Sequence, residues 1–246
     1  YSSCGGRAVG FGTKEKKLFG IRQYAGLKDF CLDQNSAADR IFKHFSSYTP
    51  AHFYSVKHSA KWKKICSNIY KKKHSFHASH EYQMEFLTMV SGKSKIISEL
   101  MWMRNNEVPR VNKERETPIE KWWYDKKFEK DRISFLQRMK KACDELSINQ
   151  NSGLKENSIS ELFEVLIKKF VEYNNKNLFR KILQLFPYKI EIKLLKLVKK
   201  CYKITTIKEK SLGDEINILK AEGVLINLEE LKKIISILEN PKNNVS

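Results

Sequence analysis

Read for the alternation of apolar and polar positions, the chain turns helical at Ser36 and keeps a helical period to its end. SAADRIFKHFSSY places Ala37, Ile41, Phe42 and Phe45 on one face behind a serine cap, and Thr49-Pro50 breaks the run. A second helix is expected from about Pro50, with Phe53, Val56, Ala60, Ile65, Ile69 and Tyr70 apolar and Lys57, Lys61, Lys64, Lys71 and Lys72 largely turned away. Glu81 to Met103 forms another amphipathic stretch, interrupted at Ser91-Gly92. NNEVPRVNKERETP is a polar connection with two prolines and the best candidate boundary. Thr117-Pro118-Ile119-Glu120 then combines an N-cap, a proline at the first helical position and a capping-box glutamate. It opens a long helix in which Leu136, Met139, Cys143 and Leu146 repeat at heptad spacing.

Past the turn-rich INQNSGLKEN, helix starts are marked by Ser158-x-x-Glu161, Ser211-x-x-Asp214 and Asn227-x-x-Glu230, with Pro187, Gly213 and Gly223 as punctuation. About five short helices of roughly 10 to 16 residues result, read as antiparallel hairpins without a constant repeat. The opening of the chain shows no such period. Six of the ten glycines fall between Gly5 and Gly26, interleaved with Arg7, Lys14, Lys16, Lys17 and Arg22. Glycine loses the most backbone entropy in a regular element, so an irregular arm is expected here. The expected fold is therefore all-α: a basic glycine-rich arm over 1–35, a basic helical region over 36–105, a linker and long helix over 106–150, and a helical-hairpin domain over 151–246.

Charge changes what this architecture is for. The chain has 47 Lys+Arg against 28 Asp+Glu, a net charge of +19. Such a field attracts polyanions, nucleic acid or an anionic membrane surface. Richness in Lys, Asn and Ile, as in KKFVEYNNKNLFRKIL, points to an AT-rich genome, which inflates lysine for reasons unrelated to function. The excess is uneven, however. Residues 1–80 hold 15 basic and four acidic side chains, against 14 and 12 in residues 81–150 and 18 and 12 in residues 151–246. Uniform drift toward lysine would not starve one third of the chain of acids, so the first third is the expected polyanion surface. No apolar run approaches the roughly 18 residues of a membrane span. Five scattered cysteines without a C-x-x-C pair argue against a secreted disulfide framework and for a reducing compartment.

Catalytic motifs fail one by one. Ser91-Gly92-Lys93-Ser94 ends like a phosphate-binding loop, but that loop needs a glycine where Leu87 stands, and no G-x-S-x-G or H-E-x-x-H occurs. His74, His77 and His80, beside Glu81, are the one metal candidate; at i, i+3 and i+6 on a helix the drift separates the first from the third, and no metal or other cofactor is expected. Phosphate contact is the better use of KWKKICSNIYKKKHSFHASH. Lys61, Lys63, Lys64, Lys71, Lys72 and Lys73 would neutralise phosphates. Trp62, Tyr70 and Phe76 are placed to stack on unpaired bases, with burial in the core as the competing reading. Adjacent Trp122 and Trp123 point about 100° apart on a helix, so one of them is a candidate anchor for a partner protein, with packing between domains as the alternative.

The basic glycine-rich arm resembles the tails with which ribosomal proteins thread between RNA helices. Tyr1-Ser2-Ser3 resembles the end left by removal of a mitochondrial presequence, with a cloning boundary as the other reading. The expectation is a non-catalytic component of a ribonucleoprotein, in its most specific form a lineage-specific mitochondrial ribosomal protein. It would bind rRNA through Arg7, Lys14, Lys16, Lys17, Arg22 and the Lys61 to Lys73 face, and neighbouring proteins through its C-terminal hairpins. The alternative is an accessory subunit of a mitochondrial respiratory or ATP synthase complex, where positive charge meets anionic lipid.

Overall fold

The glycine-rich opening is a β-strand. The computed structural model describes residues 1–14, 17–24, 27–46, 52–70, 74–76, 79–106, 117–146, 156–175 and 210–239. Their elements begin with strands β1 (Ser3–Lys14), β2 (Lys17–Gln23) and β3 (Cys31–Leu32), followed by helix α1 (Ala37–Ser46). A 3₁₀ turn at His52–Tyr54 and the short β4 (Val56–Lys57) lead into α2 (Ser59–Ile69), α3 (Ser79–Ser91) and the long β5 (Ser94–Asn105). Then come α4 (Ile119–Tyr124), a 3₁₀ turn at Lys126–Phe128, α5 (Glu129–Leu146), α6 (Glu156–Asn175), β6 (Lys210–Ser211), α7 (Leu212–Ala221) and α8 (Leu228–Glu239). The strands form one mixed half-barrel sheet in the order β3-β5-β1-β2-β6, with β4 paired to the start of β1.

The all-α expectation is thus overturned in three places. The arm is a hairpin, β1 antiparallel to β2 from Ala8↔Gln23 to Lys14↔Lys17. The helix expected from about Pro50 starts at Ser59, after a 3₁₀ turn and a strand. The stretch from Glu81 to Met103 is half helix and half strand, dividing at Gly92, whose φ of 146° suits glycine and few other residues. The long helix after Thr117 also breaks: Asp125 is extended at ψ 125° and its carboxylate accepts from the Lys127 amide at 3.0 Å, starting a new turn. Pro118 stands at the N-cap of α4, one place earlier than the sequence suggests.

β1 and β5 run parallel, and their pairing holds two unlike lobes together. In the first, α3 is enclosed on all sides, its residues from Tyr82 to Ser91 buried. Two of its polar positions bond within the helix, Gln83 to the Ser79 carbonyl at 2.9 Å and Thr88 to the Met84 carbonyl at 2.7 Å. Around it α1, α2, α4, α5 and α6 contribute Ile41, Phe45, Ile65, Trp122, Phe135 and Phe163 to one apolar core. The carbonyls ending α3 accept from buried Arg40, at 2.8 Å to Met89, and from Lys61, at 2.6 Å to Ser91. Both cations sit where the helix dipole is negative.

In the second lobe α7 and α8 cover a single face of the sheet, burying Val9, Phe11, Leu212, Ile216, Leu219 and Leu231. The helix start expected at Ser211-x-x-Asp214 is present, and it is a capping box bonded in both directions, at 3.0 and 3.2 Å. Gly223, at φ 79°, ends α7 as a left-handed residue. Arg7, 2% exposed, meets Glu222 at 3.0 Å and ties the first strand to the end of α7.

Candidate nucleic-acid interface

The second lobe leaves the other face of its sheet uncovered by α7 and α8. Strand alternation sends Val9, Phe11, Leu18 and Met103 inward and the residues between them outward. Between Arg7 and Ala8 the register with β5 slips, Arg7 pairing with Leu100 and Ala8 with Trp102, so Met101 is the extra residue of a bulge. The bulge turns Trp102 and Arg104 to the outward face. Across the strands the register lines up Gln23, Ala8 and Trp102 in one row, Ile21, Gly10 and Arg104 in the next, and Phe19 with Gly12 in a third.

Aromatic rings gather on the first row. Trp102 stacks on Tyr54 at 4.6 Å with 27° between planes, and Tyr24 lies 5.6 Å from the same indole. Tyr54 is 45% exposed. Arg104 donates to the Tyr24 hydroxyl at 2.8 Å, and Tyr24 takes φ 50°, a conformation that costs an L-residue energy and here turns its ring toward Trp102. Burial pushes the Tyr24 hydroxyl above its ordinary pKa, against the pull of Arg104, so the phenol stays protonated. On the third row the Phe19 ring lies on Gly12, where a β-carbon would come within 2.4 Å of it. Between them the Gln23 amide donates to Asn106 at 3.2 Å directly over Gly10, where a β-carbon would meet the two amide nitrogens at 2.5 and 2.2 Å. The glycines keep the floor flat and let these side chains lie down on it. Flat rings beside a guanidinium are the groups on which unpaired bases stack.

The residues singled out from the sequence are scattered. Lys63 and Lys64 are exposed on α2 and Lys17 on β2. Lys61 is committed to the Ser91 carbonyl, and Trp62 is half-buried with the Lys57 ammonium 4.4 Å from its ring centre. Arg7 is enclosed by its ion pair and presents no face to a phosphate. Lys16, Lys71, Lys72 and Lys73, together with the side chains of Lys14 and Arg22, lie outside the described residues. Tyr70 is exposed, while Phe76 is buried against Trp122 with ring centres 4.3 Å apart. Trp122 is wholly buried and donates to Asp131 at 2.8 Å; Trp123 is half-buried on the same core, stacked on Phe163. Both tryptophans therefore reach one core, because the short α4 stands between α5 and α6.

His74 and His80 take separate partners: His74 is buried against Asp131 at 2.9 Å and His80 packs by Tyr70, while His77 is outside the described residues. Burial alone would raise the Asp131 carboxyl, but hydrogen bonds from Trp122, His74 and the Ser75 amide outweigh it and hold the pKa low. Among the described residues no group of three or more His, Cys, Asp or Glu side chains is arranged to hold a metal ion.

A second polar cluster is sealed inside the first lobe. His44 and Glu85 meet at 2.8 Å, both buried, and the His52 ring sits 5.0 Å from His44. Neither ring nitrogen of His52 has a hydrogen-bond partner among the described residues. Burial, with His44 and Lys57 nearby, pushes His52 down to about 3, and burial lowers Lys57 to about 8 against the attraction of Glu85. The cluster holds acid and base groups whose side chains are enclosed in the lobe, and its pairing bears on stability.

Comparison with known proteins finds no matching family model, no similar curated protein and no similar solved structure. Among the described residues no helix is long and apolar enough to cross a membrane.

Proposed function

We propose that the chain is a non-catalytic RNA-binding component of a ribonucleoprotein and that it holds single-stranded RNA on the open sheet face. The observation that carries this reading is the Trp102, Tyr54, Tyr24 and Arg104 group on the sheet face that, among the described residues, α7 and α8 leave uncovered, in a chain of net charge +19. An open sheet with aromatic rows stacks about two or three bases. Exposed Lys17, Lys63 and Lys64 supply sequence-independent attraction to phosphates. The uneven charge of residues 1–80 favours a particle rich in structured RNA, and an organellar ribosome is the assembly we have in view.

The test is binding of labelled single-stranded RNA and of a duplex of the same sequence to the full chain across a salt series. The single strand is expected to bind more tightly, with affinity falling as salt rises. Equal or tighter binding of the duplex would move the contact from stacking to shape. Binding to anionic vesicles without binding to either RNA would overturn the reading in favour of a membrane-surface subunit.

A further inference from the structure

The exposed aromatic group and the sealed polar cluster meet in one short turn. His52–Tyr54 is a single 3₁₀ turn with His52 wholly buried at one end and Tyr54 exposed at the other. Inside the lobe the His52 ring lies beside His44 and Phe30, with ring centres 5.0 and 5.8 Å away. Outside it the Tyr54 ring stacks on Trp102. The direction of the Tyr54 ring is therefore set by whatever holds this turn closed.

Three donors converge on the His52 carbonyl: the Ser55 amide at 3.2 Å, the Ser55 hydroxyl at 2.6 Å and the Lys57 ammonium at 2.6 Å. Lys57 also donates to the Ser55 carbonyl at 3.3 Å, so one cation bridges carbonyls on either side of Tyr54. Strand pairing puts it there. Lys57 pairs with Ser3 across β4 and β1, in a row that continues through Ser94 to Leu32; those three side chains are buried, while the neighbouring Val56 is exposed. The ammonium, 4.4 Å from the Trp62 ring centre, sits where an aromatic face favours a cation. A hydrogen bond from an ionised donor is about twice as strong as a neutral one. Resting on the RNA reading above, we infer that Lys57 is a positioning residue, holding the Tyr54 ring on Trp102 so that a base can stack there.

The titratable groups facing the ammonium are Glu85 from α3, Cys66 from α2 and His52 from the turn itself, with His44 of α1 beyond His52. Burial outweighs the attraction of Glu85 and lowers Lys57 to about 8 from an ordinary 10.5. The clamp is thus charged near neutrality and loses its charge in mild alkali. The fold responds in the opposite sense. Between about pH 8 and 10.5 the unfolded chain binds more protons at this residue than the folded one, so the contribution of Lys57 to stability rises with pH. Weaker binding in alkali would therefore not come from unfolding at this group.

The experiment measures binding of the full chain to oligo(A) of about ten nucleotides, whose bases lose no proton in the range used, from about pH 6.5 to about pH 9. Wild-type affinity should fall about threefold to tenfold across that range, less than the loss of a whole stacking ring. Lys57→Arg, which keeps its charge throughout, should hold the affinity seen near neutrality and flatten the profile. Lys57→Met should bind at the weaker level at every pH. In a Tyr54→Ala chain the further change Lys57→Met should add nothing, because the ring it positions is gone. Melting temperatures of each variant, taken at the same pH, keep loss of fold apart from loss of binding. A proportional loss from Lys57→Met with and without the Tyr54 ring, or an arginine variant that reproduces the wild-type profile, would overturn the inference while leaving RNA binding standing. Failure of the wild type to bind oligo(A) or any other single strand at any pH would defeat the RNA reading itself.

Discussion

The two lobes joined by β1 and β5 use similar residues to opposite ends. In the first, His44, Lys57, Glu85, His74 and Asp131 are packed among rings and helices and bond chiefly to one another or to backbone, and the His52 ring is enclosed beside them. In the second, Gln23, Tyr24, Tyr54, Trp102 and Arg104 gather on the sheet face that, among the described residues, α7 and α8 leave uncovered. What separates the two groups is the number of covered faces. α3 has neighbours on every side, whereas α7 and α8 cover one face of the strands they meet. A polar group in the first setting must find its partner within the fold; in the second it keeps capacity for a ligand.

The comparison breaks most visibly through the first lobe's core. Phe135 is fully buried against Phe76, Trp122 and Phe163, so Phe135→Ala should cost about 3–5 kcal/mol, read as a lowered urea midpoint, with RNA affinity of the remaining folded protein little changed. A loss of binding at full stability would show the lobes to be one functional unit.

Acid should act on the same lobe. His52 has a folded pKa near 3 and an ordinary one near 6.5, so its burial is unopposed above about pH 6.5 and increasingly costly below it, when the unfolded chain takes up the proton. The groups facing it are His44 from α1, Glu85 from α3 and Lys57 from β4. Stability should fall by about 1 kcal/mol per pH unit between about pH 6 and pH 4, and His52→Phe should flatten that slope. An unchanged slope in the variant would pass the effect to other groups.

Trp102→Ala tests the open face. Loss of one stacking platform should weaken single-stranded RNA binding by about 1–3 kcal/mol, measured by fluorescence anisotropy, with a smaller change in melting temperature because Trp102 is only half-buried. The smallest effect is expected from Lys63→Gln with Lys64→Gln. Two lost phosphate contacts should reduce the slope of log affinity against log salt by about 1.4, for every RNA sequence alike. No change in slope would remove α2 from the interface.

Three helix starts were legible in the sequence and the strands were not, for a physical reason, while Ser158, expected as a start, lies inside α6 and the helix expected from about Pro50 begins at Ser59. A cap is local: Ser36, Ser211 and Asn227 each bond an amide three residues on, and the spacing shows in the sequence. The strand β1 alternates Val9 and Phe11 with Ala8, Gly10 and Gly12, and glycine contributes nothing to an apolar pattern while its propensity argues against a strand. The ring and amides that cover those glycines come from β2 and from residue 106, and the partner of Arg7 lies 215 residues away. Trp102 and Arg104 were hidden similarly, because the bulge at Met101 shifts their alternation within MWMRN. Amphipathicity also put Phe42 on the inner face of α1, where Ala37, Ile41 and Phe45 are buried and Phe42 is exposed.

The parallel pairing of β1 with β5 sets an order of events during synthesis. Residue 3 leaves the ribosome some 90 residues ahead of its partner at residue 94, and at translation rates of about 5–20 residues per second that is a delay of roughly 5 to 20 s. A hairpin of β1 and β2 forms within microseconds, yet for all that time its outer edge has no neighbour, and Arg7 waits longer still for Glu222. The nascent chain therefore carries an unpaired, cationic strand edge until β5 has emerged. Shielding that edge, as a chaperone would, protects the yield of folded molecules.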